Sequence, residues 1–413
     1  MMSSPPDDGP AGRAAVETAV MVVEDHAFQR HALCRLLQRA GVRQILQAED
    51  GESALAMLHA HGAAPLVVIT DLDMPTMDGV EFIGRLAGQA PWVQLAILSA
   101  QDEALLRAVR LLARDLGVRF AGALAKPIGL AQLAALLETA RTAPERPRAA
   151  IDPLSAGELR EAIEQGWLRA HFQPKVALAD GVPTGFEALA RIEHPRLGLI
   201  GPARFLPALE AAGLQRVLTD RMLADAGTLL QATRQTHPRL SVAINLTLPE
   251  VSEPRDAERL AAAVRAAGSS PERVVFEITE NAVATHWTVA VENLVRLRMR
   301  GFALSIDDFG TGHASLHQLL RLPVTELKLD RSFIEDIDSG QTARVMVQST
   351  VDMAARLGLA TVAEGLETPA AIETLRQMGC DVGQGYGLAR PMPLDAAIGW
   401  LRGRPVRACS MRA

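Results

Sequence analysis

Tyrosine occurs once in this chain of 413 residues, tryptophan four times and cysteine three times. So few aromatic rings leave little material for a platform that stacks single-stranded nucleic acid. Cys34, Cys380 and Cys409 are far apart and form no Cys-x-x-Cys pair, so neither a disulfide framework nor a cysteine zinc site is expected. The ten histidines show no metalloprotease-type spacing, and His313 and His317, four apart, are not expected to hold a metal. Positive charge is not in excess: 42 Lys and Arg stand against 48 Asp and Glu, a net charge of −6. A protein that coats DNA or RNA needs a basic footprint, and none is present. No apolar run approaches the roughly 18–20 residues that span a bilayer. The opening segment Met1–Asp8 lacks the basic and apolar regions of a signal peptide. A soluble protein of the bacterial-type cytoplasm, with no membrane partner and no nucleic-acid polymer, is the expectation.

What is present is ordinary globular composition, 48% hydrophobic and 22% charged, over a length that suggests two to four domains. Residues 1–17 are rich in Pro, Ser, Gly and Asp and are expected to be a flexible tail. Over residues 18–140, apolar runs alternate with helical patterns: Ala19–Val23 runs into Glu24-Asp25, Leu66–Ile69 into Thr70-Asp71, and Val93–Leu98 into Ser99. Repeated βα units of this length predict an open parallel sheet. Residues 141–154 are proline- and charge-rich and read as a linker. Residues 155–403 alternate strands and helices again, over the length of a (β/α)8 barrel, and 404–413 form a terminal tail.

Ligands of open parallel sheets sit at the carboxyl ends of the strands. Glu24, Asp25 and Asp71 all lie at such ends. Three converging carboxylates repel one another unless a cation joins them, and Mg²⁺ suits one or two carboxylates with water and phosphate oxygens. One carboxylate could then accept a phosphoryl group, with the metal and a lysine stabilising the transferred oxygens. Ser99 and Lys126 end the next two strands and supply the remaining groups. These segments, with Asp71–Gly79 and Lys126-Pro127, resemble a response-regulator receiver domain of doubly wound, flavodoxin-like fold. The resemblance implies Asp71 as phosphoacceptor, Glu24 and Asp25 as holders of one Mg²⁺ together with the backbone of Asp73, and Ser99 and Lys126 as the switch pair. It also implies a histidine kinase or phosphotransfer protein as partner. One departure stands out: where receivers often carry a switch aromatic, this chain has Ala123, with Phe120 nearby but out of register.

In the second domain, strand after strand ends in a hydrogen-bonding or ionisable residue. The runs are Phe186-Glu187-Ala188-Leu189-Ala190-Arg191, Val242–Asn245, Val274–Glu280, Ala303–Gly312, Glu326–Asp330, Thr361–Gly365 and Val382–Tyr386. In a barrel of this class these ends converge on one face. Glu187, Glu277, Asp307, Asp308 and Glu364 could not all ionise together without cations. An oxygen-rich set with one amide favours Mg²⁺ or Mn²⁺ over zinc. Adjacent Asp307-Asp308 could serve two metals, the arrangement used for in-line attack on phosphate esters.

These segments closely resemble the EAL-type cyclic di-GMP phosphodiesterases, whose name motif stands here as Glu187-Ala188-Leu189. The resemblance implies a TIM-like barrel that hydrolyses cyclic di-GMP to linear pGpG, with Mg²⁺ or Mn²⁺, two ions in this site. It makes Glu187, Asn245, Glu277 and Asp307 metal ligands, gives Asp308 the second metal, and lets Glu364 either coordinate or activate the attacking water. Lys328 orients that water or stabilises phosphate charge, and Gln173, Arg191, Gln384 and Glu367 hold substrate or line the site. Glu280 anchors the Asp-Asp-Phe-Gly-Thr-Gly loop, and a homo-oligomer through this domain is implied. Lys328, flanked by Leu327 and Leu329, faces away from both, which in a barrel means the lumen; Asp330 would share its face, and Glu326 reads as structural.

The rival reading is a sensor that binds cyclic di-GMP with little turnover; the complete ligand set argues for turnover. Setting aside ten site acids (Glu24, Asp25, Asp71, Glu187, Glu277, Glu280, Asp307, Asp308, Glu364 and Glu367) leaves 38 acids against 42 bases. The acidity of the chain is thus a property of two pockets that divalent ions would offset.

Overall fold

The computed structural model describes residues 19–61, 66–90, 92–99, 103–142, 153–279, 287–310, 319, 321–335, 337–338 and 340–404. The chain divides into two compact units, Met1–Arg148 and Ala149–Ala413.

The first unit holds five strands: β1 (Ala19–Val23), β2 (Ile45–Ala48), β3 (Leu66–Asp71), β4 (Gln94–Ser99) and β5 (Arg119–Ala125). All pair in parallel, in the order β2-β1-β3-β4-β5. Both faces are covered, which is why the strands are continuously apolar. Ala19, Met21 and Val23 pack to one side with Phe82 and Leu95, while Val20 and Val22 pack to the other with Leu37 and Leu137. The order reverses between β1 and β3, so the crevice where open sheets bind ligands falls at Glu24, Asp25 and Asp71.

The second unit closes into an eight-stranded barrel. Its strands are β6 (Leu168–Ala177), β7 (Pro183–His194), β9 (Ser241–Leu246), β10 (Val274–Thr279), β11 (Ala303–Phe309), β12 (Glu326–Leu329), β13 (Ala360–Ala363) and β14 (Val382–Gly383). A short β8 (Gly198–Ile200) pairs only with β7. The expectation of a regular (β/α)8 barrel needs one refinement. β6 runs antiparallel to both its neighbours, β7 and β14, whereas the other seven strands are mutually parallel. The physical reason is local: the connection from β6 to β7 is too short for a crossover helix, which parallel neighbours require, so the pair forms a hairpin.

Alternation then sorts the side chains. Phe172, Phe186, Ile244, Phe276 and Leu304 face the surrounding helices and form one buried cluster. Leu327 and Leu329 join a second cluster. The intervening residues, among them Gln173, Glu187, Glu277 and Lys328, are turned into the barrel, and all four are buried.

Candidate functional site

The lumen-facing residues meet at the carboxyl end of the parallel strands, around a cavity of about 240 Å³ walled by Gln173, Glu187, Asp307, Lys328, Glu364 and Gln384 among others. Lys328 is its centre. The Lys328 ammonium, 1% exposed, lies 2.6 Å from Glu364 Oε1, 2.8 Å from Asp307 Oδ1, 3.0 Å from Glu277 Oε2 and 3.8 Å from Glu187 Oε2. Four carboxylates, three from β7, β10 and β11 and one just past β13, therefore converge on one positive charge. Asn245 donates to Glu187 Oε1 at 3.1 Å, and Gln384 donates to Glu187 Oε2 at 2.5 Å and to Gln173 Oε1 at 3.0 Å.

The backbone explains two of these placements. Adjacent residues of a regular strand point to opposite faces. The pairing of β11 with β12 slips between Ile306 and Phe309, and Asp308 takes a left-handed φ of 55°. That combination carries Asp308 to the same side as Asp307, and one oxygen from each can lie within 4.8 Å of Glu364. A non-glycine residue held there stores strain of about 1–3 kcal/mol, which is characteristic of functional sites. Gln384 is set by its glycine neighbour. A Cβ on Gly385 would lie 2.2 Å from the Leu366 nitrogen, so only glycine lets the two segments approach. The approach is fixed by Leu366 N donating to Gln384 O at 3.1 Å.

The charges do not titrate alike. Burial pushes Glu364 up to about 8, with Lys328 pulling against it and Glu187 and Asp307 adding to it. Burial also raises Glu187, and burial with the Asp307 charge raises Asp308. Glu277 goes the other way: burial opposes its charge, but Lys175 and Lys328 outweigh that and hold it down to about 2. Five carboxylates share two lysines here, so added cationic charge is favoured. An all-oxygen donor set with one amide fits Mg²⁺ or Mn²⁺. Because carboxylates must lose their protons to bind a metal, apparent Mn²⁺ affinity is expected to rise with pH as the raised Glu187 and Asp308 carboxyls ionise. Calorimetric titration across pH 6–9 checks this, and a pH-independent affinity would refute it.

The remaining expected residues divide. Arg191 lies on the Glu187 face of β7, half-buried, donating to its neighbour's carbonyl, Ala190 O, at 2.8 Å, and it does not wall the cavity. Glu367 does wall it, but is exposed and pairs with Arg331 at 3.0 Å. Asp330 caps the short helix Arg331–Ile334 by accepting from Ser332 N at 2.9 Å. Glu280, His313 and His317 lie outside the described residues.

Three participants were not singled out from the sequence. Arg331 and Tyr386 line the cavity mouth, and Lys175 lies beneath it. Lys175 was within reach of sequence reasoning: two residues after Gln173 on one strand, it must share that residue's face.

In the first unit Lys126 reaches Asp71 Oδ2 at 2.6 Å, Gln29 Oε1 at 2.7 Å and Glu24 Oε2 at 2.8 Å. Burial opposes the lysine's charge, but hydrogen bonds to Asp71 and Glu24 prevail and raise its pKa. Glu24, Asp25 and Asp71 can each bring an oxygen within 4.8 Å of the others. Ser99 is fully buried at the end of β4. The aromatic near the switch position is displaced by an irregularity in β5: Leu95 faces Phe120, but Ala96 faces Gly122. Phe120 lies instead beneath the Arg110 guanidinium, 5.5 Å away.

Residues 156–391 match the EAL domain family, and residues 20–138 match the response regulator receiver domain family. The chain is 34% identical over 379 residues to the cyclic di-GMP phosphodiesterase RocR of Pseudomonas aeruginosa, covering 91% of this chain and 96% of that protein. It is 41% identical over 246 residues to the cyclic di-GMP phosphodiesterase NbdA of the same organism, covering 59% of this chain but 31% of that one. Among solved structures, the PaMucR phosphodiesterase in complex with c-di-GMP superposes with a TM-score of 0.55 at 36% identity, covering 58% of this chain and 98% of the other. The FimX EAL domain from Pseudomonas aeruginosa bound to c-di-GMP gives 0.52 at 25% identity, covering 57% and 95%.

Proposed function

Since the chain belongs to the EAL domain family and carries a response regulator receiver domain, we propose that it is a metal-dependent cyclic di-GMP phosphodiesterase under receiver control. The observation that carries this reading is the convergence of Glu187, Glu277, Asp307 and Glu364 on Lys328 at one barrel mouth, with Asn245 and Asp308 beside them.

In this reading Glu187, Asn245, Glu277 and Asp307 would hold the metal, and Asp308 would reach a second. When bound, Mg²⁺ or Mn²⁺ would screen the phosphate and lower the pKa of a water toward neutrality. Glu364 accepts the proton of the attacking water. In the metal-free site burial raises its pKa to about 8, and metal charge would lower that toward neutrality, the range suited to proton exchange. Lys328, 2.6 Å from Glu364, remains charged and balances the negative charge that grows on the phosphate. Gln173 and Gln384 fix the substrate side of Glu187. Arg191 supplies a guanidinium, whose planar fork suits a phosphate better than lysine would. The water oxygen bonds to phosphorus as the P–O3′ bond breaks, the 3′ oxygen takes a proton from solvent, and linear pGpG leaves. The proposal includes a homo-oligomer through the barrel, a cytoplasmic location, and one Mg²⁺ at the receiver acids. Among the described residues, no helix is long and apolar enough to cross a membrane.

Incubation with cyclic di-GMP and Mg²⁺, followed by chromatography, should yield pGpG. Binding without pGpG would instead establish a sensor. Control by the receiver has its own test. With a small-molecule phosphodonor present, the wild-type rate should shift by about fivefold or more, the low end of ordinary coupling energies. Asp71→Asn should show no shift. Identical responses of the two proteins would sink receiver control.

A further inference from the structure

Beneath the cavity lies a second buried lysine that the proposed reaction does not use. Lys175 is 5% exposed and sits one layer deeper in the lumen than Gln173, on the reversed strand β6. Its ammonium is 2.7 Å from Glu277 Oε1 and 3.4 Å from Glu326 Oε1. Glu277 is itself fully buried, and its other oxygen, Oε2, faces Lys328 at 3.0 Å. The two lysines thus grip one carboxylate from below and above.

We propose that Lys175 is a positioning residue, which fixes the rotamer of Glu277 from beneath so that a single oxygen, Oε2, is presented to the metal. This rests on the functional reading given above. The geometry requires an anchor of this kind. A glutamate has three rotatable side-chain bonds, and a free carboxylate could turn either oxygen, or both, toward a cation. With Oε1 held at 2.7 Å by the Lys175 ammonium, Oε2 is the oxygen left for the cavity. Glu326 is the counterweight. It stands two residues before Lys328 on β12, on the same face, and keeps the Lys175 ammonium from rising toward the site. The order along the lumen is therefore Glu326, Lys175, Glu277, Lys328, alternating in sign. Partners that orient a metal ligand typically change metal affinity by about 10–100-fold when removed.

The test measures Mn²⁺ affinity calorimetrically on the full chain without nucleotide, alongside far-ultraviolet circular dichroism, for Lys175→Met, Lys175→Gln and Lys175→Arg. The Met variant should bind Mn²⁺ about 10–100-fold more weakly. The Arg variant, which keeps a donor and a charge, should bind Mn²⁺ more tightly than the Met and Gln variants. If the Met variant does not fold, the Gln variant carries the same expectation of weakened binding. Wild-type affinity in a folded charge-free variant overturns the proposal. So does an Arg variant that loses the metal as fully as the charge-free ones. Turnover of cyclic di-GMP by the wild type, measured separately, tests the functional reading. A chain that bound metal with this pattern but released no pGpG would sink that reading and leave the role of Lys175 standing. At saturating Mn²⁺ the Met variant should recover most of its kcat with little change in KM, which a merely structural lesion would not produce.

Discussion

Glu364→Gln is expected to hydrolyse cyclic di-GMP about 10²–10⁴-fold more slowly than the wild type at saturating metal, the usual loss when a general base is removed. Substrate affinity should stay within about threefold, because the amide keeps the shape and one acceptor oxygen. The argument rests on environment. Glu364 is pushed up to about 8, while Glu277 is held down to about 2. A carboxylate fixed at the low value would be a poor proton acceptor, however well placed. The variant also separates two roles. If Glu364 served chiefly as a ligand, Mn²⁺ affinity would collapse along with the rate. If it moves the proton, affinity should change little, and the acidic limb of the kcat profile should disappear. Its effect on stability carries a definite sign. Glu364 keeps its proton in the folded metal-free protein up to about pH 8, whereas an unfolded glutamate loses it near 4.3. Folding therefore weakens as pH rises through that interval. An uncharged glutamine removes the dependence, so the metal-free variant should be at least as stable as the wild type above pH 8. Thermal melts at pH 6 and 9 read this directly.

Lys328→Met should have the largest effect on stability. It deletes the one charge that four carboxylates share, three of them buried. Breaking a buried ion pair from one side costs about 3–5 kcal/mol, because the partner is left charged and dry. For a domain of this size that corresponds to roughly 6–20 °C in Tm. The loss should be largely reversed by millimolar Mn²⁺, which restores positive charge to the same acids, yet activity should not return. A variant that melts like the wild type in chelator would contradict the ion-pair account. The pH window follows from the shifts. Lys328 is raised, so its contribution is complete below the unfolded lysine value near 10.4 and fades only as pH climbs through the higher folded value. Glu277 is lowered to about 2, so its contribution is complete above about 4.3 and fades as pH falls toward 2.

The ease with which this chain could be read depended on where each signal lay. Lys328 was placed correctly because alternation with Leu327 and Leu329 admits one answer once a barrel is assumed. The receiver acids were legible because parallel strands announce their carboxyl ends. The reversal of β6 was not: a strand's direction is a matter of connection length, and the Leu178–Val182 link carries no chemistry. Lys175 differs: its face follows from Gln173 two residues earlier, but its partners Glu277 and Glu326 lie 102 and 151 positions away and only the closed barrel brings them together. Nor does composition disclose that Asp307 and Asp308 share a side. That needs a slipped register and a left-handed residue, which are properties of backbone rather than of side-chain type.

The seam between β14 and β6 has a consequence for how the enzyme comes into being. Gln384 closes on Gln173 across 211 positions of sequence and on Glu187 across 197. Contacts so distant are the slowest to form, because the loop-closure entropy must be met before any reward arrives. A nascent chain still lacking its last strand would have made Glu187, Asn245 and Glu277 but not the pair that secures them. Competence to bind metal and nucleotide therefore arrives late, when the last strand of the barrel is in place. Synthesis arrested short of residue 384 should leave a product that holds neither, however much of its helix content has formed.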